Sequence, residues 1–138
     1  MLTIRPAQET DKKELLKILK TLDLFYPSLS LKNFWVAEKN RKIIGVVQLK
    51  KYADFLFLSS LGIIEGERKL GIGAALLREI LKNAKKNVYL YTIQPEFFKK
   101  FGFEIIPSSP KLPSKKPLEC QSCIPEKCVC MVKLTDVA

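Results

Sequence analysis

Residues 68–74 read Arg-Lys-Leu-Gly-Ile-Gly-Ala. They follow an apolar run rich in β-formers, Phe55 to Ile64, and precede a stretch in which Leu76, Leu77, Ile80, Leu81 and Ala84 recur at helical spacing. Gly71 and Gly73 therefore stand at a strand-to-helix joint. Without Cβ atoms they open backbone angles closed to other residues and let a ligand approach the main chain, while the first amides of the helix behind them have no carbonyl partners. Those N–H groups and the helix dipole favour an anion, and Arg68 and Lys69 add two positive charges to the same turn. The plainer alternative is a glycine-assisted loop with solvated basic residues, which is what an isolated Gly-x-Gly most often is. The spacing excludes a Walker loop, which needs Gly-x-x-x-x-Gly-Lys-Ser/Thr. It also excludes the Gly-x-Gly-x-x-Gly dinucleotide fingerprint.

Arg-x-x-Gly-x-Gly opening a helix resembles the acyl-CoA pyrophosphate loop of the GNAT superfamily of N-acyltransferases. Further segments resemble that family in its own order. Ile4-Arg5-Pro6-Ala7 through Asp11, with Leu15-Leu16, is similar to its opening strand and first helix. Lys42-Ile43-Ile44-Gly45-Val46-Val47 is similar to its third strand, and Phe97 to Phe103 to its late helix and aromatic-glycine-phenylalanine turn. The resemblance covers residues 2 to about 106. It implies an α/β (α+β) fold with a mixed, mostly antiparallel sheet, helices on both faces and a splayed central strand pair. It implies one N-acetyltransferase domain over residues 1–138, with acetyl-CoA as cosubstrate. The residues implied to hold it are Ile63, Arg68, Lys69, Leu70, Gly71, Ile72, Gly73 and Ala74.

The elements that must position this loop are legible in the pattern. Leu2 to Arg5 alternates as a strand; Asp11, with Glu14 three residues on, can cap a helix whose stripe is Leu15, Leu16, Ile18, Leu19 and Leu22. Tyr26-Pro27-Ser28 breaks it. Phe34 to Glu38, the turn Lys39-Asn40-Arg41 and Ile43 to Lys50 make a hairpin, and Phe55 to Ile64 is the strand that leads to the loop. Gly62 inside that strand signals a bulge or a close backbone approach. After the loop helix come a strand over Val88 to Thr92, a helix from Pro95 to Phe101 ended by Gly102, and a strand from Phe103 to Ile106. Pro107 to Pro117 is proline-, serine- and lysine-rich and reads as a loop, and Cys128 to Leu134 as a strand that closes the sheet.

With 138 residues, 47% of them hydrophobic, the chain has the material for one packed core. No apolar run approaches the length of a membrane span and no signal-peptide core follows Met1, so no membrane partner and a cytoplasmic setting are expected. The net charge of +10 favours anionic ligands, but the lysines are spread over nearly every segment and no nucleic-acid motif accompanies them, so nucleic acid is not expected as a partner. A homodimer stays open. The chain has no histidine, which excludes a histidine base, a histidine-containing triad and a mixed histidine-cysteine metal site.

Acyl transfer to an amine requires a neutral nucleophile, a polarised thioester carbonyl and a proton for the leaving thiolate. The family often supplies that proton from a tyrosine four residues before the late glycine, and here that position is Phe98. Of Tyr89 and Tyr91, which stand on one strand, only one is expected to serve the splayed cleft, and Tyr91 is taken as the candidate acid, with both as half-buried sheet residues the alternative. Glu65, just before the loop, reads as a loop charge rather than a base. The carbonyl is expected to meet the main-chain amide of Ile63. Cys120, Cys123, Cys128 and Cys130 allow zinc, a disulfide or buried thiols. The pairs are closer together than common structural zinc spacings, so no metal is expected, and the cluster is read as remote from the chemistry. Leu112-Pro113 with Lys115-Lys116, before the closing strand, is similar to the tail of N-acetylglutamate synthase acetyltransferase domains, which implies a small-molecule amine, an amino acid, as acceptor. A protein or RNA N-acyltransferase and a non-catalytic acyl-CoA-binding module are the alternatives.

Overall fold

The computed structural model describes residues 2–25, 29–67, 71–107 and 129–135. Arg68, Lys69, Leu70, the Leu112 to Lys116 tail motif and Cys120, Cys123 and Cys128 lie outside them.

Seven strands form one sheet: β1 (Leu2–Pro6), β2 (Phe34–Lys39), β3 (Lys42–Lys51), β4 (Leu56–Ile63), β5 (Val88–Thr92), β6 (Glu104–Ile106) and β7 (Val129–Lys133). Among the described residues three α-helices accompany them, α1 (Lys12–Thr21), α2 (Ile72–Lys82) and α3 (Pro95–Lys99). The sheet order is β1-β2-β3-β4-β5-β7-β6. Every neighbouring pair is antiparallel except β4 and β5.

Strand alternation sends side chains to two faces, and each face receives a helix whose apolar stripe matches it. Leu15, Ile18 and Leu19 of α1 bury against Phe34, Val36, Ile43 and Val46. Ile72, Leu76, Leu77 and Ile80 of α2 bury on the opposite face against Ala37, Ile44, Val47, Leu58 and Leu90, where Phe98 of α3 also packs. Leu76 is fully buried, and truncating such a leucine to alanine costs about 2–5 kcal/mol. No helix among the described residues is long and apolar enough to cross a membrane.

The structure refines the sequence reading at several points. Asp11 does not cap α1: its carboxylate accepts the Gln8 N–H at 2.6 Å in the 3-10 turn Glu9–Asp11 and two Arg5 hydrogen bonds at 2.7 and 3.0 Å. Glu14 is not the second half of a capping box; its carboxylate reaches across to accept the Ile43 N–H at 2.9 Å, tying α1 to β3. The closing strand enters the sheet in its interior. β5 and β6 both run antiparallel to β7, so the crossover through α3 leaves a slot one strand wide, which β7 fills. The α3 helix is also shorter than the expected run to Phe101, because the chain closes through Gly102 at φ +92° with the Phe103 N–H returning to the Phe98 carbonyl.

Candidate active site

The strand-to-helix joint is built from two turns. At the end of β4 the Glu67 N–H closes on the Ile64 carbonyl at 3.1 Å, with Gly66 at φ +94° in the third place, where the left-handed region favours glycine. Lys39 Nζ lies 3.4 Å from the Glu67 carboxylate and fastens this turn to the β2–β3 hairpin. Glu65 is exposed in the same turn. On the far side, Gly71 stands before α2 at φ +76°, and nothing lies within 4 Å of where its Cβ would be. The first intrahelical bond of α2 runs from the Ala75 N–H to the Gly71 carbonyl at 3.0 Å. The amides of Ile72, Gly73 and Ala74 thus precede the helical ladder and point out of its positive end.

The side chains around these amides have different tasks. Ile72 is buried in the core, so what it offers a ligand is its N–H. Gly73 lies inside the helix and shows no left-handed φ; what its lack of a side chain secures is space, since a Cβ there would sit 3.9 Å from both Ile63 Cγ1 and Phe97 Cζ. The N-terminus of α2, the end of β4 and the ring of Phe97 therefore converge. Sequence reasoning did not single out Phe97 as a site residue; its neighbour Phe98, at the family's tyrosine position, drew the notice. Phe98 is buried edge-on to Phe97 and Phe103 and belongs to the core.

Between β4 and β5 the sheet opens. The two strands pair only at Leu56↔Val88 and Phe57↔Tyr89, although β4 continues to Ile63 and β5 to Thr92. On its other side β4 stays paired with β3 as far as Gly45↔Ile63, interrupted by a bulge in which Ser60 and Leu61 oppose Val47 and Ser60 takes φ +55°. The bulge re-aims the strand beyond Phe57. The Ile64 N–H donates to the Ile44 carbonyl of β3 at 2.9 Å. Antiparallel alternation then turns the Ile63 N–H to the opposite edge, which is the opening. Gly62 marks a close approach rather than the bulge itself: a Cβ there would lie 2.9 Å from Leu22 Cδ1 and from Leu24 Cδ1, which cross β4 on the α1 side.

Tyr91 lies on that same α1 face of the opening. Its ring packs on Phe57 with centroids 5.4 Å apart, and its cross-strand partner is Cys130. The buried Cys130 thus neighbours the candidate acid, although the sequence reading set the cysteine cluster apart from the chemistry; the insertion of β7 beside β5 brings them together. Also on this face, Gln48 of β3 is buried and bound to Ser59 of β4, two residues that drew no attention as a pair. Among the described residues no three histidine, cysteine, aspartate or glutamate side chains form a metal-holding group. The strongest electrostatic contact among them is away from the opening: the Arg5 guanidinium holds the Asp11 carboxylate below the usual aspartate range, with the Gln8 N–H acting in the same direction against the opposing effect of burial.

The start of α2, whose first amides precede the helical ladder, and the end of β4 beyond the last β4–β5 pair thus lie together, with the aromatic and hydroxyl side chains of Tyr91 and Ser59 on the α1 face. The family model described as acetyltransferase (GNAT) domain matches residues 30–105, more than half of the chain. N-acetylglutamate synthase from Neisseria gonorrhoeae, complexed with coenzyme A and N-acetyl-glutamate, is similar with a TM-score of 0.76 at 20% identity over 97% of this chain and 35% of that one. The chain thus spans about a third of that protein's length. A PaiA N-acetyltransferase from Thermoplasma acidophilum in complex with coenzyme A gives 0.70 at 17% identity over 98% and 99% of the two chains. Naa50 from Arabidopsis thaliana, in complex with the bisubstrate analogue CoA-Ac-MVNAL, gives 0.65 at 21% over 97% and 99%. These likenesses establish the shared fold, and the domain match over residues 30–105 establishes membership: the chain belongs to the GNAT family of acetyl-CoA-dependent acetyltransferases.

Proposed function

We propose that this protein transfers the acetyl group of acetyl-CoA directly to a primary amine of an amino acid or related small metabolite. The observation that carries the reading is the β4–β5 opening beyond Phe57 and Tyr89, which runs toward α2 amides that precede the helical ladder. In it, Arg68 and Lys69 and the amides of Leu70, Gly71, Ile72, Gly73 and Ala74 receive the diphosphate, the Ile63 N–H hydrogen-bonds the thioester carbonyl, and Tyr91 gives the departing sulfur its proton. The amine nitrogen bonds the acetyl carbon, the carbon–sulfur bond breaks, and the proton lost by nitrogen passes to solvent. The α2 side of the sheet is filled by its core, so the amine approaches from the α1 face, where Tyr91 stands.

Two facts favour an acceptor that carries a carboxylate: the net charge of +10, and the likeness to a synthase complexed with N-acetyl-glutamate. A peptide amino terminus is the second reading, favoured by the likeness to Naa50 with CoA-Ac-MVNAL. Thiol release from acetyl-CoA is measured with the twenty amino acids, the pentapeptide MVNAL and RNA. Release with an amino acid supports the reading, and release with the peptide or RNA alone replaces it. CoA at a hundredfold excess over its Kd stabilises the fold by about 2.7 kcal/mol. An unchanged melting curve at millimolar CoA refutes acyl-CoA binding altogether.

A further inference from the structure

Gln48 is 1% exposed, and its side-chain amide is fully committed. Its Nε2 donates to the Ser30 carbonyl at 2.8 Å and to the Lys32 carbonyl at 2.9 Å, in the connection between α1 and β2. Two carbonyl oxygens can be served only by the NH2 end of an amide, so the orientation of the group is fixed. Oε1 is thereby turned toward β4, where the Ser59 hydroxyl lies at 3.2 Å. An amide oxygen can only accept, so Ser59 must donate, and its proton is held away from the opening. The oxygen keeps its lone pairs for another partner.

Ser59 sits where that matters. It faces the same side as Gln48, its β3 partner, and comes immediately before the bulge at Ser60. Carrying the parallel register forward from Phe57↔Tyr89 sets Ser59 level with Tyr91, on the face that holds Tyr91, at the point where the strands have parted. Ser59 is half-buried there. A neutral primary amine has two N–H bonds and one lone pair. A freely turning hydroxyl could donate to that lone pair and mask the nucleophile, whereas an oxygen that can only accept takes an N–H and leaves the lone pair directed elsewhere.

We propose that Ser59, held by Gln48 as an acceptor-only hydroxyl, binds an N–H of the acceptor amine and orients its lone pair for attack, with Gln48 the positioning residue that sets the polarity. The proposal rests on the transfer reading above and assigns the amine's place within it. Ser59→Ala, Ser59→Thr and Gln48→Met are assayed with the fastest acceptor of the amino-acid and peptide panel, alongside CoA titration and melting. Ser59→Ala is expected to lower kcat/KM for the amine about tenfold, with CoA affinity unchanged and the melting temperature within about 2 °C. Ser59→Thr keeps the hydroxyl and restores kcat/KM to within about threefold of the wild type, the residual reflecting the added methyl group. Gln48→Met lowers kcat for the amine, and adds little in the double variant with Ser59→Ala, because both break one relay. Unchanged amine kinetics in Ser59→Ala or in Gln48→Met, a Ser59→Thr protein as impaired as Ser59→Ala, or an equal loss of CoA affinity overturns the proposal. A wild-type protein that binds CoA but releases thiol to no amine refutes the transfer reading and this inference together, whereas wild-type turnover with unaffected variants refutes this inference alone.

Discussion

Ala74 is the third residue of α2, one place before the helical ladder begins. Its N–H has no intrahelical acceptor, while that of Ala75 is bonded to the Gly71 carbonyl at 3.0 Å. Proline at position 74 therefore removes a donor the helix does not use, and its fixed φ suits a first turn. The expected stability loss is at most about 1 kcal/mol, or about 3–4 °C for a chain of this size. If the amide bonds a CoA phosphate, the loss is that of a hydrogen bond to a charged group, about 1.5–3 kcal/mol. At 1.4 kcal/mol per decade that weakens CoA binding about ten- to a hundredfold. Ala75→Pro is the control, since it breaks a helical bond and costs about 3 kcal/mol of stability. Calorimetric titration with CoA, beside thermal unfolding of both variants, separates the two effects. An Ala74→Pro protein that melts near the wild type and binds CoA with wild-type affinity refutes the phosphate cradle at α2.

Arg68→Ala and Gly73→Val should each weaken CoA binding, the first by removing charge and the second by filling the space bounded by Ile63 and Phe97; equal affinity for all three proteins in the same titration contradicts this. Tyr91→Phe should lower kcat by an order of magnitude or more while CoA affinity holds, and a change confined to KM makes Tyr91 a binding residue instead. Arg5→Met leaves the Asp11 carboxylate buried with the Gln8 N–H as its hydrogen-bond donor and should cost about 2–3 kcal/mol at neutral pH. Because Arg5 lowers the Asp11 pKa, the stabilisation is present above the ordinary value of 3.8 and is lost as pH falls below it. The gap in melting temperature between the two proteins should therefore narrow below about pH 4, and a gap constant from pH 7 to pH 3 excludes this pair as its source.

The strand-to-helix joint was legible because it depends on neighbours in the chain. Gly71 adopts the left-handed angle that glycine permits, the run from Leu76 follows the 3.6-residue period, and α2 begins directly after Gly71. Of the two uses the sequence allowed Gly73, an unusual backbone angle or a close approach, the structure shows no left-handed φ there and a space kept between Ile63 and Phe97. Asp11 and Glu14 misled, since a capping pattern cannot reveal that Arg5 and Ile43 lie closer to those carboxylates than the helix amides do.

What periodicity and spacing determined by themselves is the set of elements, their order and the strand-to-helix joint, all of which follow from residue types within one or two turns of each other. Only the tertiary structure decided which strands lie side by side. It parted β4 from β5 beyond Phe57, and it slid β7 between β5 and β6, so that Cys130 faces Tyr91. It also brought Ser59 beneath Gln48 and the carbonyls of Ser30 and Lys32. Cross-strand register is set by how two whole faces pack, α1 on one and α2 on the other, and by a bulge that shifts every residue after it by one place. Those are sums over residues far apart in the chain, and no local pattern carries them.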